Sequence, residues 1–415
     1  MQVCIHRGSK EIGGSCVEII SHEKRIVIDL GLPLDAANNS NTYLPYIPGL
    51  VQKDDSLLGI IISHPHIDHF GLLPHIRTDI PVIMGAAARR IITAASPFLP
   101  GQWTVPTSGM DLKSEESIKL GPFTITPYLM DHSGYDSYSL LIETDGKRLF
   151  YTGDFRFHGR KSQLTEKLIS NPPPNIDVLL MEGSTLGRTD VNTRYPTETD
   201  IEEQLVDIFK NTSGLSLVHV SSQNIDRIVS IFRACKRSNK TLIIDLYTAV
   251  ILDATGNKNI PQSDWPAIAL YIPQSQRVQV KKNKWFDLLK KHSKHRIFIE
   301  NISDLSGQYV LLFRPLHIHD LERSNVLDNS VYIYSMWEGY WSSNSLSPVR
   351  EWINNYSITM VSIHTSGHSS TADLQRFAES MRPGTIVPIH TFEPGKFPEL
   401  FDNVKLYSDG VYWEV

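Results

Sequence analysis

Ile60-Ile61-Ile62-Ser63-His64-Pro65-His66-Ile67-Asp68-His69-Phe70-Gly71 is the stretch from which the rest of the chain can be read. Its three isoleucines read as a buried strand. Three histidines and an aspartate follow within six residues, in the spacing His-x-His-x-Asp-His. Residues two apart on an extended segment point the same way, so His64 and His66 can grip one ion from one side. Asp68 and His69, just beyond, can turn toward a second. Neutral imidazole and carboxylate are the donors zinc takes when it is catalytic rather than structural. A histidine-rich surface loop is the bland alternative, and four ligand-type residues at this spacing behind an apolar strand weigh against it.

The 415 residues are 41% hydrophobic and 20% charged, the balance of a soluble globular protein with room for two or three cores. No apolar run approaches the ~18 residues that a membrane span needs. Met1-Gln2-Val3-Cys4-Ile5-His6-Arg7 lacks a basic region leading into an apolar one, so no secretory leader is expected. Cys4, Cys16 and Cys235 are odd in number and unpaired in spacing, which fits free thiols in a reducing, cytoplasmic setting.

Outward from the histidine stretch, the first 180 residues alternate short apolar runs with turns. Ser15 to Ile20, Arg25 to Leu30, Phe123 to Leu129, Tyr138 to Glu143, Arg148 to Tyr151 and Val178 to Met181 read as strands. Leu72 to Arg77 and Ala86 to Ala95 read as helices. Asp29 ends one strand, Asp131-His132 follows another, and Gly153-Asp154 a third. Each alone is a routine turn residue. Together they repeat the placement of His64, at the carboxyl end of a buried strand, where layered α/β folds collect their sites.

From about Thr197 to Ser345 helices and strands alternate regularly, beginning with a helix at Glu198 to Lys210 and a strand at Leu215 to Val220. A second helix over Asn224 to Cys235 and a strand at Thr241 to Asp245 continue a doubly wound pattern with parallel strands. Within it, the segment 277–296 carries eight lysines and arginines against the single acid Asp287, a net of +7. The rest of the chain therefore holds −12 of the overall −5. Trp285 and Phe286 interrupt the run, a mixture suited to a phosphate backbone with bases to stack; a solvated helix face reads equally well. In the last 70 residues a strand at Ser357 to Ile363 leads into His364-Thr365-Ser366-Gly367-His368, then a helix from Ala372 to Met381. Another strand, Thr385 to Ile389, ends in His390. Two short strands are expected near Val404 and Val411.

Of 16 histidines, His64, His66, His69, His132, His368 and His390 sit at strand ends or in tight polar loops. With Asp68 and Asp154 they are enough for two metal ions about 3.5–4 Å apart, an arrangement that serves hydrolysis of a phosphodiester or an acyl bond.

These residues resemble the metallo-β-lactamase superfamily: Asp29 at a strand end, His64-Pro65-His66-Ile67-Asp68-His69, His132 and Asp154, in family order. Glu182 in Met181-Glu182-Gly183, Ser366-Gly367-His368, and His390 in Pro388-Ile389-His390 resemble the later motifs of its β-CASP nucleases, ribonuclease J type. Ser221-Ser222-Gln223-Asn224-Ile225-Asp226-Arg227 is similar to the turn and arginine that open a β-CASP helix. The resemblance implies an αββα sandwich over 1–196 and 346–415 with a doubly wound α/β insert over 197–345.

It also implies that His64, His66 and His132 bind one zinc, and Asp68, His69 and His390 the other. Asp154 would bridge them, with manganese able to replace zinc. Asp29 and Glu182 would orient ligands, while His368, with Asp68 and Asp154, would be catalytic. Ser221, Ser222, Arg227, Ser366 and Gly367 would contact RNA or another single-stranded nucleic acid. Self-association is open, and no membrane partner is expected. Three features depart from the pattern. Ser335-Met336-Trp337-Glu338-Gly339-Tyr340-Trp341-Ser342 replaces a Gly-rich segment, Ser133-Gly134-Tyr135-Asp136-Ser137 varies the loop after His132, and 415 residues are fewer than the longer ribonucleases J possess. The implied activity is a two-zinc ribonuclease. A DNA nuclease of the same branch, a small-molecule hydrolase on the same core and a metal-dead nucleic-acid-binding subunit are the alternatives.

Overall fold

Strands buried on both faces send alternate side chains into different cores and so build three layers of core in the first of two compact units, residues 1–195 with 367–415. The computed structural model describes every residue except Gln102 and Thr107. One sheet holds β1 (Gln2–Arg7), β2 (Cys16–Ser21), β3 (Lys24–Ile28), β4 (Leu57–Ile61), β5 (Val82–Gly85), β6 (Asp111–Leu112) and β20 (Tyr412–Glu414), in the order β20-β1-β2-β3-β4-β5-β6. The other holds β7 (Ile118–Leu120), β8 (Phe123–Leu129), β9 (Tyr138–Thr144), β10 (Lys147–Tyr151), β11 (Val178–Glu182) and β19 (Thr385–Ile389), in the order β19-β11-β10-β9-β8-β7.

Alternate residues choose their layer. Ile26 and Ile28 of β3 meet Leu149 and Tyr151 of β10 and Val178 and Leu180 of β11 between the sheets. Val27 faces the other way, into a cluster with Ala88 and Ile92 of the helix Ala86–Ala95. Phe150, Leu179 and Met181 likewise turn outward onto Leu168 of the helix Ser162–Ser170 and Leu374 and Phe377 of the helix Thr371–Met381. The result is the αββα sandwich, with each fully buried aliphatic or aromatic side chain contributing about 1.5–3 kcal/mol. A register slip of one residue would turn each strand inside out.

Most expected elements form within a residue or two of their sequence bounds. Leu72 to Arg77 does not become a helix: Pro74 sits in a single 3-10 turn, Leu73–His75, and Ile76 is already extended. The strand expected near Val404 is a lone bridge to Ile386.

The second unit, Pro196–Ser366, is built on β12 (Ser216–His219), β13 (Thr241–Ile244), β14 (Ile268–Tyr271), β15 (Arg296–Ile297), β16 (Tyr309–Phe313), β17 (Val331–Tyr334) and β18 (Thr359–Ser362). All pairs are parallel, in the order β15-β14-β13-β16-β12-β17-β18. Parallel strands bury both faces. Leu217, Ile243, Leu311 and Phe313 fill one, and Leu242, Ile244, Leu270 and Leu312 are buried on the other. Three of its helices start on side-chain caps, a capping box between Thr197 and Asp200 and single caps from Asn224 and Asp245. The chain returns to the first unit at Gly367 rather than at 346. β18 pairs with β17 from Val331↔Thr359 to Tyr334↔Ser362, and the helix Ser347–Asn355 commits Val349, Trp352 and Ile353 to the insert's core.

Candidate metal centre

Five segments of the first unit deliver donors to one place, each from the carboxyl end of a strand. After β4, the peptide past Pro65 is extended at His66 and then turns through Ile67–Phe70, which separates His64 and His66 from Asp68 and His69. Gly31 makes room for that turn, because a Cβ there would overlap the Asp68 carbonyl. His132 follows β8 and Asp154 follows β10. Glu182 closes β11, and His390 follows β19 with a left-handed φ of 54°.

Asp154 Oδ2 lies at the centre. It is 3.5 Å from His64 Nε2, 3.3 Å from His69 Nε2, 4.0 Å from His132 Nε2 and 3.6 Å from His390 Nε2. Asp68 Oδ2 is 3.9 Å from both His69 Nε2 and His390 Nε2. Three overlapping donor groups result: His64 with His66, His132 and Asp154; Asp68 with His69 and His390; and Asp154 with His368 and His390. The first two contain the residues that the sequence resemblance assigns to the two ions, and the third adds His368, which the resemblance does not count as a ligand.

Whether the centre fits metal can be judged from its loose ends. His64 Nε2, His69 Nε2, His390 Nε2 and Asp154 Oδ1 are buried without a hydrogen-bond partner among the described residues. Each such orphan costs about 1–3 kcal/mol if left unmet. All four are lone-pair donors of the kind a divalent cation takes. Burial pulls the pKa of His64, His132 and His390 well below the usual imidazole range, and that of His66 to about 4, with neighbouring histidines adding repulsion. Neutral imidazole is the ligating form, so these rings are ready at neutral pH. His69 is the exception. Burial opposes its charge too, but Asp154, Asp29 and Asp68 surround it and raise it well above the usual value.

Outer partners set which nitrogen each ring presents. Asp29, held at φ 57°, accepts from His69 Nδ1 (2.7 Å), Tyr151 Oη (2.7 Å) and the Ser63 hydroxyl (2.8 Å) and amide (2.7 Å). Ser63 Oγ, having donated to Asp29, accepts from His64 Nδ1 at 3.0 Å. The Gly367 carbonyl accepts from His132 Nδ1 at 2.7 Å. His64 and His132 thereby turn an unprotonated Nε2 inward, while His69 directs Nε2 toward Asp154 and must give up its extra proton to ligate. His390 Nδ1 has two neighbours, Ser15 Oγ at 2.9 Å and the Gly13 amide at 3.3 Å.

His368 stands apart from this pattern. Its Nδ1 is 2.8 Å from Glu182 Oε2 and 3.9 Å from Asp154 Oδ2. Burial lowers its pKa, yet Glu182 and Asp154 outweigh that and lift it to about 9. Glu182 also accepts from the Phe155 amide at 2.8 Å and Ser184 Oγ at 2.7 Å, so its carboxylate is rigidly held.

Residues 24–259 match the family described as the beta-lactamase superfamily domain. The chain belongs to the β-lactamase superfamily. Within the same superfamily chain, residues 357–394 match the Zn-dependent metallo-hydrolase RNA specificity domain. Among its relatives, ribonuclease J of Sinorhizobium meliloti is 22% identical over 384 residues, covering 89% of this chain and 64% of that protein. RNase aCSPSF2 of Saccharolobus solfataricus is 24% identical, covering 54% and 46%. Transcription termination factor FttA of Methanothermobacter thermautotrophicus is 29% identical, covering 49% and 34%. These relatives belong with the β-CASP, ribonuclease J-like branch. The chain spans less than two thirds of their length. A solved protein of unknown function from Enterococcus faecalis V583 shares the fold with a TM-score of 0.78, at 19% identity and 99% coverage of both chains. No helix among the described residues is long and apolar enough to cross a membrane.

The expected nucleic-acid contacts fare less evenly. Ser221, Ser222, Arg227 and Ser366 belong to the second unit. Arg227 is fully buried: Nε and Nη2 donate to Glu198 at 3.0–3.2 Å, and Nη1 donates to Ser335 Oγ at 2.5 Å. It is a structural cation and not a substrate contact. Ser222 is also buried, with Oγ 2.8 Å from Thr248 Oγ1. Ser221 remains exposed and accepts from the Gln223 amide at 3.3 Å. Gly367 gains a role in holding His132 that the sequence did not announce. Ser15, Ser63 and Tyr151 were missed altogether.

Proposed function

We propose that the chain is a two-zinc phosphodiesterase that cleaves RNA in the manner its ribonuclease J relatives' name implies. The observation that carries this reading is Asp154 Oδ2, buried, grouped with His64, His66 and His132 and lying 3.3 Å from His69 Nε2 and 3.6 Å from His390 Nε2, with orphaned imidazole nitrogens around it. His64, His66, His132 and Asp154 would hold one ion, and Asp68, His69 and His390 the other with Asp154 shared. When bound, the pair supplies Lewis-acid polarisation of a phosphoryl oxygen and acidifies water near neutral pH.

The chain's own residues do the rest. Asp29, Ser63 and the Gly367 carbonyl keep His69, His64 and His132 in the ligating tautomer. Glu182 orients His368 through Nδ1 and keeps it protonated, which leaves Nε2 to pass a proton to the departing oxygen, a contribution of about 10²–10⁴ in rate. The helix Thr371–Met381 begins three residues later, and its first amides favour an anion nearby.

Zinc content and cleavage test the reading together. Metal-loaded protein, incubated with end-labelled RNA and DNA carrying 5′-hydroxyl, monophosphate or triphosphate ends, should cleave RNA and stop on chelation. Asp154→Asn should remain folded, lose zinc and lose turnover. Full activity with at most one ion per chain would refute the two-metal reading. Preference for DNA would redirect the substrate while leaving the centre intact.

A further inference from the structure

Eight cations cluster between 277 and 296, and the structure separates those that are spent from those that are free. Arg277 Nη2 reaches Asp320 at 3.8 Å, Lys291 is paired with Asp253 at 2.7 Å, and Lys294 donates to the Asp264 carbonyl at 3.1 Å. Arg296 lies over the Phe298 ring at 5.1 Å. Lys281, Lys282, Lys284 and Lys290 are exposed, and among the described residues none has a carboxylate within ion-pair distance.

Their arrangement is regular. The helix Gln274–Asn283 buries Gln276 and Val280 and turns Val278, Lys281 and Lys282, spaced i, i+3, i+4, to solvent. Lys284 ends it in a left-handed conformation, φ 57°, which starts a second helix, Phe286–His292, on a new heading. That helix repeats the motif, with Phe286 58% exposed and Lys290 four residues on. An exposed aromatic ring thus lies in the same segment as four unneutralised lysines.

We propose that this corner is a binding surface for single-stranded RNA, with Lys281, Lys282, Lys284 and Lys290 on successive phosphates and Phe286 as a platform for a base. The proposal rests on the RNA reading of the metal centre and adds a contact in the second unit. The segment 277–296 sums to +7 in a chain of net −5, and its four unpaired lysines concentrate positive charge where a polyanion can be held. Lysines that pair with no carboxylate release counterions on binding at no cost in broken ion pairs. Stacking on Phe286 would add sequence-tolerant affinity.

The test uses zinc-loaded protein, a fluorescent phosphorothioate-linked single-stranded RNA that resists cleavage, and anisotropy across a salt series. Hydrolysis of bis(p-nitrophenyl) phosphate, which has neither a run of phosphates nor a base to stack, serves as the companion readout. Lys281→Gln/Lys282→Gln/Lys284→Gln should weaken RNA binding and flatten the slope of log affinity against log salt by about two, at about 0.7 per lost single-strand contact. Small-substrate hydrolysis should stay unchanged, and the triple arginine variant should keep the wild-type slope. Phe286→Ala should lose about tenfold in affinity with the slope intact, within the range known for a stacked base. An unchanged slope with unchanged small-substrate hydrolysis overturns this surface as an RNA site and spares the metal centre's reading. A wild-type protein that hydrolyses the small ester yet binds no RNA overturns both. Loss of slope in the arginine variant also overturns the proposal, since charge would then not be the cause.

Discussion

Gly367→Ala asks whether one loop serves both the proposed phosphate site and a metal ligand. An added methyl would lie 2.7 Å from Ser133 Oγ and 3.5 Å from His132 Cε1. Ordinary contact begins at 3.4 Å, so something must yield by about 0.7 Å. If the loop yields, the 2.7 Å bond from His132 Nδ1 to the Gly367 carbonyl stretches to about 3.4 Å, the edge of a useful hydrogen bond. A ligating histidine that loses its outer partner typically costs 10–100-fold in metal affinity, which is about 1.4–2.7 kcal/mol. The group containing His132 should weaken by that factor while the group of Asp68, His69 and His390 keeps its affinity. Competitive zinc titration against a chromophoric chelator resolves the two steps, with circular dichroism to verify the fold. Ser133→Ala in the same chain removes the obstructing hydroxyl, so the double variant should recover most of the loss, a coupling of about 1 kcal/mol or more. Wild-type zinc affinity in Gly367→Ala would mean that Ser133 simply rotates away, and the argument from the carbonyl would fail.

Three further outcomes follow from the same geometry. Ser15→Ala leaves the Gly13 amide as the sole neighbour of His390 Nδ1, which favours a proton on Nε2, the ligating nitrogen; zinc affinity of the second group should fall about 10–100-fold, and nitrogen-15 shifts of His390 should report the changed tautomer. His368→Ala should keep both zinc ions and still bind RNA while single-turnover cleavage falls about 10²–10⁴-fold, whereas His390→Ala should lose an ion; the opposite pattern in zinc content would show the two roles reversed. Arg227→Met leaves Glu198 buried without its guanidinium and should lower unfolding free energy by about 3–5 kcal/mol in urea titration, with RNA affinity of the folded fraction unchanged; a loss of affinity without a loss of stability would restore Arg227 as a substrate contact.

Arg227 also shows where reading the sequence went astray. Its neighbours held the answer: Arg227, Ile231 and Ala234 stand at i, i+4 and i+7, and the last two are buried. Helical period alone places the guanidinium inward, where Glu198 of the preceding helix meets it. The motif resemblance outweighed that local signal. The domain boundary at 346 erred for a related reason. Ser357 to Ile363 read correctly as a strand, but strand pattern carries no mark of which sheet will accept it, and Tyr334↔Ser362 pairing decided for the insert.

The donors themselves were legible because they are local: a side chain of ligand type, within three residues past an apolar run, repeated at His64, His132, Asp154 and His390. Their tautomers were not legible. Ser15 finds His390 across 375 residues, Tyr151 finds Asp29 across 122, and Gly367 reaches His132 across 235 through a carbonyl that every residue type possesses. Yet a histidine ligates only if the inward nitrogen lacks its proton, and that condition is met by these remote partners on strands that the αββα layering has already fixed. Motif spacing therefore specifies what the centre is made of, and sheet packing specifies that it can bind. A chain with every donor in place and Asp29, Ser63 or the Gly367 carbonyl displaced would keep the sequence signature and lose the metal.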